Sequence, residues 1–303
     1  MGRYLNPKAD LTFKKVFGEH EDLVISLLNA LLPLPQDSTI KSVEYMTPEL
    51  VPHDPLMKNS IVDVRCRDQL GRQFIVEMQM IWSADYEQRT LFNAAKAYVR
   101  QLPAGDRYNQ LQNVYSLSLI NDTVYPDLPG YYHHYVLEHQ EHKGRTIDGI
   151  QIVFVELPKF TPHTYSEKKM QVLWLRFLTE ISGTTRKAAP ELEENPEVKK
   201  ALEIVEESAF SPEEMARYDG FWDWFRRKRA EDEDALELHE NYAKTVAALG
   251  AANAKLDATT AELGATNAKL DATTAELDAA TAKLGAATAE RDAATAERDA
   301  ATA

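Results

Sequence analysis

The sequence predicts an α/β (α+β) sandwich over roughly residues 1–230, and three observations predict it. Helical and strand-like segments follow one another as helix, strands, helix, strands, helices. Two strand-like runs, "NVYSLSLI" (113–120) and "IQIVFVEL" (150–157), are apolar through most of their length, as central strands covered on both faces are. A third stretch, "IVDVRCRDQLGRQFIVEMQM" (61–80), alternates apolar and polar residues on both sides of a short turn, which is the pattern of a half-buried hairpin.

Taken in order, "DLTFKKVFGEHEDLVISLLNALL" sets Phe13, Val16, Phe17, Val24, Leu27, Leu28 and Leu31 at spacings of three and four. That spacing predicts a helix with one apolar face, broken near Gly18 and ended by Pro33 and Pro35. Asp10 stands where the helix N-cap is expected. "STIKSVEYM" reads as a strand and the proline-rich residues 47 to 55 as a loop. The hairpin strands are placed at 60–67 and 73–81 around "RDQLGR". "SADYEQRTLFNAAKAYVRQL" then reads as a helix capped by Ser83 or Asp85 and stopped by Pro103. Strands follow at 113–120, 131–138 and 150–157. Beyond Pro158, "SEKKMQVLWLRFLTEI", "NPEVKKALEIVEES" and "SPEEMARYDGFWDWFRRKRAEDED" read as helices.

The 303 residues and 44% apolar content suffice for one sizeable core or two modest ones. No run of about 18 apolar residues occurs, and the N-terminus lacks the apolar segment of a secretory signal, so a cytoplasmic protein is expected, without a membrane partner. A single cysteine, Cys66, excludes an intramolecular disulfide and a cysteine-built metal site; its place in an alternating strand predicts a buried small residue. The net charge of −14 is concentrated at the C-terminus, where residues 231–303 carry 15 acidic against 6 basic residues. The overall charge argues against nucleic acid, but residues 1–230 carry only 33 against 28, a mild imbalance that allows a local basic face without pointing to one.

On the hairpin, a turn centred on Leu70 would put Asp63 directly across from Glu77, with Cβ atoms ~5 Å apart, where like charges destabilise a sheet. Gln79 lies on the same face, and Val62, Val64, Phe74, Val76 and Met78 are expected to point the other way, into a core. One reading makes the two acids solvated face residues with Arg65 and Arg72 beside them. The other places a divalent cation between them. Mg²⁺ takes one or two carboxylates and leaves its other positions to water and phosphate oxygens, an arrangement suited to phosphodiester hydrolysis.

Four blocks, "ADLTFKKVFG" (9–18), the hairpin (61–80), "YEQRTLFNAAKAYVRQL…GDRYNQLQNVYSLSLI" (86–120) and "TIDGIQIVFVELPKF" (146–160), together resemble the PD-(D/E)XK nuclease family transposases, also called the Rpn family of recombination-promoting nucleases. The resemblance covers about residues 4–180. It implies a restriction-endonuclease-like core, a mixed sheet flanked by helices, that cuts DNA with Mg²⁺. Asp63 and Glu77 match the family's two acids, both metal ligands. Gln79 falls where the wider superfamily has lysine, and it can orient a water through its amide but brings no charge. Asp10, Phe13 and Lys14 match the first-helix motif, with Asp10 as a cap or a neighbour of the metal site and Lys14 as a phosphate contact or a solvated lysine. Arg89 matches the family's arginine, which would neutralise a phosphate or fix Glu77. Tyr98 is read as packing.

Two other clusters are weaker. "YYHHYVLEHQEH" holds His133, His134, His139 and His142, but adjacent His133 and His134 point to opposite faces of a strand and do not share a metal easily. "DGFWDWFRRKR" joins Phe221, Trp222, Trp224 and Phe225 to Arg226, Arg227, Lys228 and Arg229. Such a mixture suits single-stranded nucleic acid, or a closing helix whose basic run is balanced by the following "EDED".

The last 63 residues are another material. "NAKLDATTAEL" occurs at 253–263 and again at 267–277, and Ala and Thr make up 34 of residues 241–303. Leu249, Leu256, Leu263, Leu270, Leu277 and Leu284 recur every seven residues, while the a positions after Val246 are Asn or Thr. The seam is either a marginal helix without chemistry or a self-association stalk forming a homo-oligomer through residues 246–284; Arg291 and Arg298 end it.

The division expected is therefore 1–185 as a nuclease-like domain, 186–240 as a helical extension and 241–303 as a heptad-repeat tail. The expected function is a Mg²⁺-dependent DNA endonuclease acting in recombination or transposition. The alternative is a non-catalytic binding or scaffold protein that keeps the fold and self-associates through its tail.

Overall fold

A computed structural model describes residues 3–50, 60–103, 105–162 and 169–301. It divides into two compact units, 1–229 and 230–303. In the first, helices α1 (Asp10–Phe17) and α2 (Glu21–Leu31) precede strands β1 (Val43–Tyr45), β2 (Glu49–Leu50), β3 (Ser60–Ile61), β4 (Val64–Asp68) and β5 (Gln73–Gln79). Helix α3 (Tyr86–Val99), strands β6 (Val114–Ile120), β7 (Tyr132–Glu138) and β8 (Thr146–Glu156), and helices α4 (Met170–Glu180), α5 (Pro190–Glu194) and α6 (Pro196–Ile204) follow. Helix α7 (Pro212–Ala301) begins in the first unit and provides the whole of the second that is described.

Six strands form a mixed sheet in the order β1-β4-β5-β6-β8-β7. The pairs β5/β6 and β6/β8 are parallel and the others antiparallel, so the sandwich expected from the order of elements is what forms. One face of the sheet carries Val64, Cys66, Phe74, Val76, Leu117, Leu119, Val153 and Val155 into the main core, against the apolar faces of α1, α2, α4 and α6. The other face is covered by α3, whose Ala94 and Ala97 close on Ile75 and Val114. β6 is buried at every position, as its nearly all-apolar sequence requires of a strand enclosed on both faces.

The break near Gly18 is real. Gly18 ends α1, its N–H bonded to the Lys14 carbonyl at 2.7 Å, and α2 starts three residues later. Other expectations change in detail. The strand expected at 38–46 is only β1 at 43–45. The loop at 47–55 contains β2, which pairs with β3; the rest of that stretch, from residue 51, lies outside the described residues. Helix α5 went unread because five residues show no periodicity. Val62 does not join Val64 in the main core. The chain bends between them at Asp63, and Val62 packs with Leu50 and Ile75 on the α3 side.

The hairpin register is the expected one. Val64 pairs with Val76, Arg65 with Ile75, Cys66 with Phe74 and Arg67 with Gln73, all centred on Leu70. Cys66 is buried, and burial pushes its thiol up to about 12.

The aromatic run of α7 serves packing in part: Phe221 and Trp222 lie against the cluster of Leu5, Ala9 and Tyr218, and Trp224 is half exposed. His133 and His134 do face opposite ways; His133 Nε2 lies 3.1 Å from the buried Glu156 carboxylate and His134 Nε2 is 3.0 Å from Gln151 Oε1.

Phe17 is fully buried, with ring centroids 5.0 Å from Phe13 and 5.3 Å from Trp174, where α1 meets α4. Phe17→Ala leaves a cavity there and is expected to cost about 3–5 kcal/mol. In urea unfolding the midpoint should fall with the slope unchanged; a shift below about 1 kcal/mol would mean that the helix layer is not packed as described.

Candidate active site

Glu77 and Gln79 stand two residues apart on β5, on the face that α3 covers, and Asp63 sits at the bend just before β4. Continuing the register one step beyond Val64 and Val76 brings Asp63 opposite Glu77. At this point the chain leaves the ladder, and the Asp63 carboxylate replaces a backbone acceptor: its Oδ2 accepts the Met78 N–H at 2.8 Å. The bend therefore fixes the carboxylate beside β5 by a hydrogen bond that alternation alone does not reveal.

Helix α3 supplies the other wall. Tyr86, Arg89 and Asn93 are spaced three and four apart, so they share the helical face turned to β5. The Tyr86 hydroxyl donates to Glu77 Oε2 and the Asn93 amide to Glu77 Oε1, each at 3.2 Å. Arg89 Nη2 donates to Gln79 Oε1 at 2.8 Å, and its guanidinium lies 4.7 Å from the centroid of the Tyr86 ring. The Gln79 amide nitrogen donates to the Ile81 carbonyl, so both ends of that side chain are engaged. Sequence reasoning found Arg89 and missed Tyr86 and Asn93. Their spacing from Arg89 on an already predicted helix was the signal. Tyr98 is partly buried against the core on the α3 side, as expected of a packing residue.

Helix α1 closes the site from the sheet's opposite flank. Asp10 is its first residue, with Ala9 as the N-cap, and makes no capping bond; its carboxylate instead holds Lys14 Nζ at 2.5 Å. The expected cap is thus corrected. An acid at the first helical position pairs with the lysine one turn on, and also suits the helix dipole. Lys14 Nζ in turn lies 3.7 Å from Asp63 Oδ1. Asp10, Lys14, Asp63, Glu77, Gln79 and Arg89 are all brought into this region.

The electrostatics are unusual for carboxylates. Burial raises the Asp63 pKa, outweighing its hydrogen bond from Met78 and the nearby Lys14. Burial also raises that of Glu77, and the Asp63 charge raises it further, against the pull of Arg89 and the donors Asn93 and Tyr86. Tyr86 is held well above its ordinary range by burial and by the Glu77 charge, so it stays a donor. For Lys14 burial works against the charged form, but the hydrogen bond to Asp10 and the charges of Asp63 and Asp10 outweigh it and raise the pKa.

The acids open into a cleft of about 620 Å³ whose walls include Ser60, Asp85, Gln88, Arg89 and Phe92. Among the described residues no group of three or more His, Cys, Asp and Glu side chains converges, so a cation here would have Asp63 and Glu77 as its charged protein ligands and would take its other oxygens from elsewhere. A pair of hard oxygen donors with an open side fits Mg²⁺, which keeps several waters and shares its shell with phosphate.

A search of curated proteins and of solved structures gave no match. A family model does match, over residues 7–235, which extends beyond the four resembling blocks into the helices that follow them. Two acids on a bent hairpin, a mixed sheet between helices and a match over most of the sequence agree: the chain belongs to the PD-(D/E)XK nuclease family transposases.

Proposed function

We propose that this protein is a metal-dependent DNA endonuclease that hydrolyses phosphodiester bonds, with Asp63 and Glu77 as ligands of Mg²⁺. The observation that carries the reading is the geometry of the cleft: two neighbouring buried acids, Asp63 fixed by the Met78 N–H and Glu77 by two neutral donors, where burial raises the pKa of both. A divalent cation offsets that penalty, and family membership supports DNA as the substrate and recombination as the setting. When bound, the ion supplies Lewis-acid polarisation of the phosphoryl group and a water of lowered pKa.

The chain's own residues divide the remaining work. Tyr86 and Asn93 orient Glu77. Gln79 fixes Arg89 beside the cleft, where the guanidinium would meet a phosphate oxygen. Lys14, tethered by Asp10, brings to the Asp63 side the positive charge that Gln79 does not. No helix among the described residues is long and apolar enough to cross a membrane, and a single buried cysteine suits a reducing, cytoplasmic compartment.

A second reading, scaffolding by self-association, is favoured by one feature of the second unit. Its six heptad leucines are 59–71% exposed on the single chain, a continuous seam with nothing of its own to cover it.

Two measurements follow. Purified protein with Mg²⁺ should nick plasmid DNA, and Asp63→Ala or Glu77→Gln should lower the rate by about 10²-fold or more, the scale of losing several kcal/mol of charge stabilisation. Equal nicking by all three overturns the assignment.

The second reads stability. A carboxyl whose folded pKa is raised contributes stability below its unfolded pKa and loses it as pH rises through the folded value. Neutral Asp63→Asn and Glu77→Gln should therefore be more stable than the wild type near about pH 8, with the gap closing toward about pH 4. Added Mg²⁺ should raise the wild-type Tm and leave that of Asp63→Asn nearly unmoved; equal shifts would place the ion elsewhere.

A further inference from the structure

We propose that residues 246–284 pair with the same residues of a second copy as a parallel, in-register, two-stranded coiled coil. The proposal rests on the self-association reading and is independent of the nuclease reading.

The seam is better suited to burial than its composition suggests. With leucine at d, the a positions are Val246, Asn253, Thr260, Asn267, Thr274 and Thr281. Thr260, Thr274 and Thr281 each donate their hydroxyl to the carbonyl four residues earlier, at 2.8, 2.9 and 2.9 Å. A hydroxyl satisfied inside its own helix leaves the threonine methyl to pack, and the β-branched shape at a with leucine at d favours two strands. The two asparagines are then the polar groups the seam must pair.

Orientation follows from those asparagines and from the flanking charges. In a parallel pair a meets a, so Asn253 and Asn267 each meet their own counterpart and exchange amide hydrogen bonds. In an antiparallel pair a meets d, and each asparagine is buried against leucine without a partner, at the cost of its desolvation. The e positions carry Asp257, Asp271 and Asp278, with glycine at the others; the g positions from 252 to 280 are only Ala and Thr. Parallel packing sets e against g, acid against neutral. Antiparallel packing with the leucines fully overlapped sets e against e, bringing Asp257 to Asp271 or Asp278 of the partner subunit.

Register follows from the ends. Aligned chains match all six leucines. A slip of seven loses one leucine pair and sets Asn253 against Thr260. A slip of fourteen, allowed by the sequence repeat, sets Leu277 and Leu284 against Arg291 and Arg298. The arginines that end the seam also select its alignment.

The protein carries its own silent background for the test, because Cys66 is buried and its thiol is pushed up to about 12. Full-length wild type should sediment at twice the chain mass of 34.2 kDa, and Leu263→Lys with Leu270→Lys should halve it. Under mild oxidation Leu256→Cys should link to itself in most molecules, while the wild type does not link. Leu256→Cys co-expressed with Thr274→Cys should give no mixed disulfide, since those residues face each other only in the antiparallel arrangement. A monomeric wild type, a mass of three or more chains, or a dominant mixed disulfide overturns the proposal. Loss of plasmid nicking with the dimer retained sinks only the nuclease reading; a monomer sinks the self-association reading together with this proposal, whereas a larger assembly or a dominant mixed disulfide sinks this proposal alone.

Discussion

The site depends on one turn. Between β4 and β5 the Asp68 carboxylate accepts the backbone N–H groups of Leu70 and Arg72 at 3.0 and 2.9 Å and the Arg72 Nε at 2.7 Å, all in a nearly buried position. Arg72 also donates to the Ser38 carbonyl at 2.6 Å, and Gly71 takes a φ of 80°, which few other residues tolerate. A buried ion pair of this kind adds little net stability, yet removing one partner strands the other. Its service is register. A slip of β4 by one residue against β5 would turn Val64 toward the cleft and Asp63 into the apolar core, away from Glu77.

Much of this was legible before any coordinates. Alternation gave the two strands, and a centre at Leu70 gave every observed pair from Val64/Val76 to Arg67/Gln73. The turn itself was not legible: a two-residue loop would have shifted the pairing by one, and the Asp68 and Gly71 contacts that exclude it are seen only in the structure. What escaped has a common cause. The bend at Asp63 is set by a side chain reaching the Met78 N–H, and the approach of Lys14 to Asp63 depends on where α1 is placed. Tyr86 and Asn93 matter only because α3 docks with that face inward. These are contacts between elements: spacing can put Tyr86 and Asn93 on one helical face with Arg89, but which face meets β5 is decided only when the elements are placed. The tail shows the converse: its heptads and their register are almost wholly sequence, since a straight helix converts period directly into a stripe.

Support for the cleft comes from the ends of the parallel strands. Gln79, Ile120 and Glu156 lie in one row across β5, β6 and β8. The chain leaving β6 is tied back at once: the Asn121 N–H donates to the Gln79 carbonyl at 2.8 Å, and Asn121 Oδ1 accepts from Lys8 at 2.7 Å. The buried Glu156 carboxylate then accepts the N–H groups of Val124 and Tyr125, both at 3.2 Å. Strand ends held this way keep the residues on them in place.

Glu156 and Glu77 make an instructive pair, because they are buried carboxylates on the same sheet with opposite surroundings. Lys159 Nζ lies 2.7 Å from Glu156, and His133 stands beside it, so its charge is matched at short range. Glu77 has two neutral donors and an acidic neighbour, while Arg89 donates through Nη2 to Gln79 and acts on Glu77 only through its charge. Had the fold needed only a satisfied buried acid at Glu77, the solution used at Glu156 was available to it. A buried carboxylate oriented by neutral donors, with its pKa raised by burial and by an acidic neighbour, has the kind of surroundings found at functional sites. That difference in surroundings is what the cation-binding role proposed for Glu77 would require.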